Sequence, residues 1–135
     1  MIRSPLPAGA PKRHIMFTSS LLAFSVIPGY AAYSPAKAAI RMLADTLREE
    51  CLLYDIDVSC NFPANILSPG YEQECKTKPE LTAKLEGTAG AEKPESVAKE
   101  IISRLERGHK HITYQFVGSL LKVISQVLHA LTDRI

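Results

Sequence analysis

The sequence predicts an α/β fold built on a parallel sheet, and three stretches carry that prediction. A short apolar run from Ile15 to Thr18 ends in two hydroxyl residues, Ser19 and Ser20. From Pro35 onward Ile40, Leu43, Leu47 and Cys51 recur at helical spacing. Then Ile56, Val58, Cys60 and Phe62 alternate with Asp57, Ser59 and Asn61, the period of a strand. Strand, long helix and strand in that order make a βαβ unit, whose crossover within one sheet is parallel and right-handed.

Each element has its own local reason. Residues 1–13 hold Pro5, Pro7 and Pro11 without an apolar period and read as an unstructured lead-in. The run at Ile15 suits a buried parallel strand. Pro35 belongs in a first helical turn, where its missing N–H costs nothing, so the helix starts close to Tyr33 and Ser34. Its other face carries Arg41, Asp45, Arg48 and Glu49, spaced for i,i+3 or i,i+4 pairs. Ser68 to Gly90 is rich in charge, Gly and Pro, with only Leu81 and Leu85 at helical spacing. It reads as a long excursion with one short helix, and excursions of this length are often functional covers. A helix from Pro94 has Glu92 and Glu95 near its positive end, Arg104 and Arg107 near its negative end, and Gly108 to close it. Val97, Ile101 and Leu105 form its buried stripe, and His111 to Tyr114 suit a following strand. The tail, residues 115–135, reads as an amphipathic helix whose apolar residues lie between Phe116 and Leu131. Gln115, Lys122, Gln126 and His129 interrupt it, so it falls short of the ~20 apolar residues that crossing a bilayer needs and suits an interfacial position instead.

Composition narrows the function classes. With 135 residues, 46% apolar and 22% charged, the chain can bury one ordinary core. A net charge of +2 gives nucleic acid no electrostatic footprint. Cys51, Cys60 and Cys75 are odd in number and lack metal-ligand spacing, which suits reduced buried thiols. His109 and His111 sit beside a turn with no carboxylate or thiol at matching spacing, so solvated side chains suit them and no metal is assigned. Lys12 and Arg13 ahead of an apolar stretch also resemble a secretory leader, although Thr18, Ser19, Ser20, Ser25, Pro28 and Gly29 break that stretch.

Tyr33 and Lys37, four residues apart at a helix start, lie on one face about a turn apart. A phenol is a poor acid–base catalyst at neutral pH, and an adjacent ammonium favours its ionised form. Ser20, delivered by the neighbouring strand end, can hydrogen-bond a carbonyl oxygen that the tyrosine protonates. Together these groups make a carbonyl reduction site.

The segments Ser19-Ser20-Leu21-Leu22-Ala23, Tyr33-Ser34-Pro35-Ala36-Lys37 and Leu47-Arg48-Glu49-Glu50 resemble the short-chain dehydrogenase/reductase family. The interval from Ser20 to Tyr33 matches the family's serine-to-tyrosine gap, which favours Ser20 over Ser19. The resemblance implies that Tyr33 donates and accepts the proton, that Lys37 lowers the phenol pKa and holds the nicotinamide ribose, and that Ser20 positions the substrate. It also maps the family's Pro-Gly turn over the nicotinamide onto Pro63-Ala64-Asn65-Ile66-Leu67-Ser68, with alanine in place of glycine. The Ile66 backbone would face the nicotinamide carboxamide, and Ser68 would stand for the family's usual threonine. If that glycine supplies a backbone shape an L-residue resists, Ala64 strains the turn.

From about His14 to Tyr114 the chain looks like the 3-ketodihydrosphingosine reductase branch, fungal forms above all. The runs that carry this likeness are Leu43 to Leu52, Ser68 to Glu72 and Lys76 to Glu80. That branch implies NADPH, a long-chain 3-keto amino alcohol as substrate, the cytosolic face of the endoplasmic reticulum membrane, and self-association through the helix that begins near Tyr33. The seven glycines are scattered, without a Gly-rich turn opening a helix. The expectation is therefore the C-terminal half of a Rossmann-like doubly wound sheet, lacking the dinucleotide-binding half and inactive alone. Three other readings stand beside it: a non-enzymatic truncated module that associates with a membrane or with reductase subunits, a dehydrogenase for another lipid or steroid ketone, and a small secreted protein.

Overall fold

Three parallel strands, β1 (Arg13–Thr18), β2 (Ile56–Asn61) and β3 (His111–Ile112), lie in the order β1-β2-β3 in the computed structural model, which describes residues 12–25, 27–86 and 91–113. The lead-in up to residue 11 and the expected tail helix fall outside the described residues. Helix α1 (Tyr33–Cys51) connects β1 to β2, giving the expected βαβ unit. Register is set along the full strand: Arg13 lies opposite Ile56 and Thr18 opposite Asn61.

The core forms where α1 covers β2. Ile56, Val58, Cys60 and Phe62 are buried with Ala44, Cys51, Ala23 and Phe24. Phe24 and Phe62 pack with ring centres 4.7 Å apart, and Ile15, Phe17, Leu21 and Leu47 close the cluster's margin. The helix line facing β2 passes through Ala44 rather than Leu43, which is 49% exposed. A small residue at the centre lets the helix sit close to the strand, and a leucine one position earlier is rotated to the flank. The face expected to be solvated is partly used as well. The Arg41 guanidinium lies 4.7 Å from the Phe24 ring centre. Arg48 donates from Nε to the Val58 carbonyl at 3.0 Å and pairs with Asp45 at 2.8 Å.

β2 is buried on both faces, so its alternation separates two kinds of interior rather than core from water. Ser59 is fully buried; its hydroxyl donates to the His109 carbonyl at 3.0 Å and meets His14 Nε2 at 2.9 Å. Asp57 accepts from Lys110 at 2.7 Å and from Lys12 at 3.2 Å. These polar groups cross-link the three strand segments where apolar side chains cannot. β1 is only half buried: His14, Met16 and Thr18 face outward, and β2 is its one strand neighbour among the described residues.

The excursion holds two helices, α2 (Pro69–Thr77) and α3 (Glu80–Glu86), where the sequence suggested one. Ser68 caps α2 by accepting from the Tyr71 N–H at 3.2 Å, with Pro69 in the first turn. Leu81 is exposed, and α3 docks instead through Thr82, which is buried. Helix α4 (Pro94–Glu106) follows the sequence closely: Val97 is buried, and Gly108 closes it at φ +77°. Arg104 binds Glu100 at 2.6 Å and the Thr113 carbonyl at 3.2 Å, tying α4 to the end of β3. Among the described residues no helix is long and apolar enough to cross a membrane.

Two further side chains depart from their sequence-based expectations. His111 is not solvated: it donates from Nε2 to Asp45 at 2.6 Å and meets the Phe62 ring edge-on at 5.6 Å. Cys75 is exposed, whereas Cys51 and Cys60 are buried, and all three are free thiols. Cys75 lies on α2, outside the sheet core that encloses the other two.

Burial pushes the Asp45 carboxyl up, but hydrogen bonds from His111 and Arg48 outweigh it and hold the group below its ordinary value. A carboxylate depressed in the folded state adds stability above its unfolded value, and that stability is lost as pH falls through the folded value. Denaturant titrations of the native chain and Asp45→Asn should therefore differ at neutral pH and converge below about pH 4; a constant difference across that range would refute the linkage. Burial, then the nearby Asp45 charge, pushes the Cys60 thiol up to about 11. A thiol reagent should accordingly label Cys75 quickly and reach Cys51 and Cys60 only on denaturation, with Cys75→Ser removing the fast phase.

Candidate active site

The carboxyl ends of parallel strands are where α/β sheets open a crevice for ligands, and the chemically distinctive side chains gather there. β1 ends at Thr18, and Ser19 is held twice. Its N–H donates to the Asn61 carbonyl at the end of β2 at 2.8 Å, and its buried hydroxyl donates to the Lys37 carbonyl on α1 at 2.7 Å. The first turns of α1 are thereby fixed against the strand ends. Ser20 is extended and accepts from the Leu22 N–H at 3.2 Å, capping a short 3-10 turn at Leu21–Ala23.

Tyr33 opens α1 and is 42% exposed. Lys37 lies one turn on, with Nζ 5.4 Å from the Tyr33 ring centre and 3.5 Å from the Thr18 carbonyl. The ammonium thus spans from the tyrosine to the tip of β1. Of the residues singled out from sequence, Tyr33 and Lys37 are in contact, and the Ser19 tether holds Ser20 to the same strand end.

The segment after β2 returns to this end. The Pro63 carbonyl accepts from the Leu21 N–H at 3.2 Å, which sets the segment beside Ser20. Ile66 forms a parallel bridge with Glu92. Its two hydrogen bonds run from Leu67 N–H to the Glu92 carbonyl at 2.8 Å and from Glu92 N–H to the Asn65 carbonyl at 2.9 Å. In such a bridge the central residue's own N–H and C=O point the other way, so the Ile66 backbone groups are turned from Glu92. Asp55 is the only non-glycine residue at positive φ among the described residues. Ala64 therefore holds an ordinary backbone conformation, and alanine here imposes no left-handed strain. Ser68 spends its acceptor on the α2 cap.

Three groups that sequence spacing did not reveal complete the surroundings. Ser19 was passed over for Ser20, because a bond from a strand end to a helix carbonyl leaves no periodic trace. Tyr30 packs on Tyr33 with ring centres 5.6 Å apart and donates to Glu74 Oε1 at 2.5 Å. Burial pushes Glu74 up, and the Tyr30 hydroxyl and the Lys78 ammonium together outweigh that to hold it below the usual carboxylate range. At the end of β2, buried Asn61 has no partner for either amide atom among the described residues.

Comparison with known proteins identifies the family and the fold. A family model described as short chain dehydrogenase matches residues 3–79. The chain is 49% identical over 110 residues to the PIGF/3-ketodihydrosphingosine reductase fusion protein of Schizosaccharomyces pombe, covering 82% of this chain and 22% of that protein. It is 46% identical over 127 residues to the 3-ketodihydrosphingosine reductase ksrA of Aspergillus fumigatus, covering 83% and 35%. The chain thus spans about a third or less of the length of these relatives. Among solved structures, a short chain dehydrogenase from Burkholderia cenocepacia in complex with NADP superposes with a TM-score of 0.66 at 20% identity, over 87% of this chain and 47% of that one. A short-chain dehydrogenase from Streptomyces avermitilis gives 0.65 at 20% identity, over 89% and 49%, which establishes the shared fold. The match to the family model over more than half of its residues, on a parallel α/β sheet with Tyr33 and Lys37 at the strand ends, places the chain in the short-chain dehydrogenase family.

Proposed function

We propose that this chain carries the catalytic half of an NADPH-dependent reductase acting on the 3-keto group of a long-chain amino ketone, as the names of its relatives suggest. The observation that supports the reading is the contact of Lys37 with Tyr33, held by the Ser19 tether to the strand end that Ser20 follows. Tyr33 is the proton donor, passing its hydroxyl proton to the ketone oxygen. Ser20 holds that oxygen: its Oγ accepts from the Leu22 N–H, which leaves the hydroxyl proton to donate. Lys37 uses one N–H on the Thr18 carbonyl and keeps two for ribose hydroxyls.

The residues fit the nicotinamide end of such a cofactor, which supplies hydride when bound. The Ile66 N–H and C=O, turned away from Glu92, suit a carboxamide. Pro63 sets that segment beside Ser20, and the Ser68 hydroxyl retains a proton to donate. Affinity for the phosphates is another matter, because a Gly-rich turn at a helix N-terminus supplies much of it and the 135 residues hold none. The isolated chain accordingly binds NADPH weakly. A second reading, association with another reductase subunit, is favoured by the outer face of α1, where Ala36, Ala39, Met42 and Leu43 are exposed in a row. The cytosolic face of the endoplasmic reticulum and membrane contact through residues 116–131 belong to the same proposal, since a long alkyl chain favours an enzyme that touches the bilayer.

The test joins this chain to the dinucleotide-binding segment of the Aspergillus fumigatus relative and follows NADPH oxidation with the keto substrate. Tyr33→Phe should lower turnover by about 10²–10⁴ while leaving cofactor binding intact. Lys37→Ala should weaken both. Near-normal turnover of the phenylalanine variant would remove Tyr33 from the mechanism, and a chimaera that binds NADPH yet leaves the ketone unreduced would refute the substrate assignment.

A further inference from the structure

Contacts from α2 and α3 converge on the turn that leads into α1. The Tyr30 hydroxyl donates to Glu74 at 2.5 Å, and Glu74 accepts from Lys78 at 3.0 Å. The Lys78 side chain is only 6% exposed, with its ammonium 5.9 Å from the Tyr30 ring centre and 5.5 Å from that of Tyr71. On α3, Thr82 donates to the Pro28 carbonyl at 2.8 Å. The same turn also faces the other way. The Tyr30 ring packs on Tyr33 at 5.6 Å, tilted by 52°, and the Tyr30 carbonyl accepts from the Ser34 N–H at 2.9 Å in the first turn of α1.

We propose that Tyr30 is a positioning residue through which the α2–α3 pair sets the orientation of Tyr33. With the pair docked, Glu74 fixes the Tyr30 hydroxyl, and the fixed ring forms one wall for Tyr33 while Lys37 lies over its face. When the pair lifts, Tyr30 loses Glu74 and the Thr82 bond to Pro28 breaks. The half-exposed Tyr33 then gains rotamer freedom. Ordering of this phenol is thereby conditional on closure of the cover, which couples proton transfer to exclusion of water. Its functional meaning rests on the reading of Tyr33 as proton donor; the mechanical coupling does not.

Thr82→Val is the decisive variant because it loosens the pair without touching Tyr33. In the full chain, 3-fluorotyrosine placed at position 33 reports the ring by fluorine NMR, and hydrogen exchange reports α2 and α3. Thr82→Val should raise α3 exchange and Tyr30→Phe α2 exchange, each about tenfold, the scale of one lost hydrogen bond, and each should shift or broaden the fluorine line. Glu74→Gln keeps an acceptor for Tyr30 and should produce a smaller change in both. A loosened pair with an unmoved line, or unchanged exchange of both helices in all three variants, overturns the proposal. Should Tyr30→Phe fail to fold by circular dichroism, the other two decide on the same readouts. Neither readout uses turnover, so an inactive chimaera bears on the proposed function alone.

Discussion

The buried hydroxyl of Ser19 is the interaction on which the geometry of the strand ends depends. A donor buried without a partner costs about 1–3 kcal/mol, and Ser19 meets that demand by reaching across to the Lys37 carbonyl. Its N–H binds the Asn61 carbonyl at the same time, so one residue joins the ends of β1 and β2 to the opening turns of α1. The reach of Lys37 to the Thr18 carbonyl and its place over the Tyr33 ring follow from that join. Two adjacent serines therefore have different work. Successive strand residues point to opposite sides; Ser19 turns inward to hold the scaffold, and Ser20 caps the next turn with a proton left to donate.

A second constraint comes from β2, which is covered on both faces. One face is apolar and packs on α1. The other has to satisfy Ser59 and Asp57, and does so with His14, the His109 carbonyl, Lys12 and Lys110. The polar positions thus replace missing apolar cohesion with cross-strand bonds from three consecutive segments. On the α1 side, Asp45 ties His111 to Arg48, and Arg48 reaches the Val58 carbonyl, so β3 is bound to α1 across the strand between them. Register in β3, only two residues long, is carried by these side chains as much as by its ladder.

What was legible in the sequence was local. The alternation from Ile56 to Phe62, the helix start near Pro35 and the closure at Gly108 each depend on neighbours within a few positions, and each stands in the structure. The pairing of Tyr33 with Lys37 was legible for the same reason, since one helical turn fixes it. Contacts between distant segments left no such signal. Tyr30 meets Glu74 across 44 positions, and His111 meets Asp45 across 66, so neither bond can be read from spacing. The other helix of the excursion, α2, escaped because none of its residues is buried and its sequence carries charge rather than an apolar stripe. Leu43 was misplaced for a subtler reason: helical spacing fixes which residues share a face, and the smallest of them, Ala44, takes the closest approach.

The glycine comparison shows where backbone freedom is required. The family's turn after the central strand has glycine, and alanine stands there without left-handed strain. The demand lies instead at Gly29, where φ is +99° and an added Cβ would come within 2.6 Å of the Thr82 hydroxyl oxygen. Both conditions exclude a side chain, one through the backbone and the other through the neighbour. This close approach lets Thr82 reach the Pro28 carbonyl beside it. The turn that leads into Tyr33 is thus shaped to receive α3 against bare backbone, and α3 meets the approach to α1 at the point where the chain has least bulk.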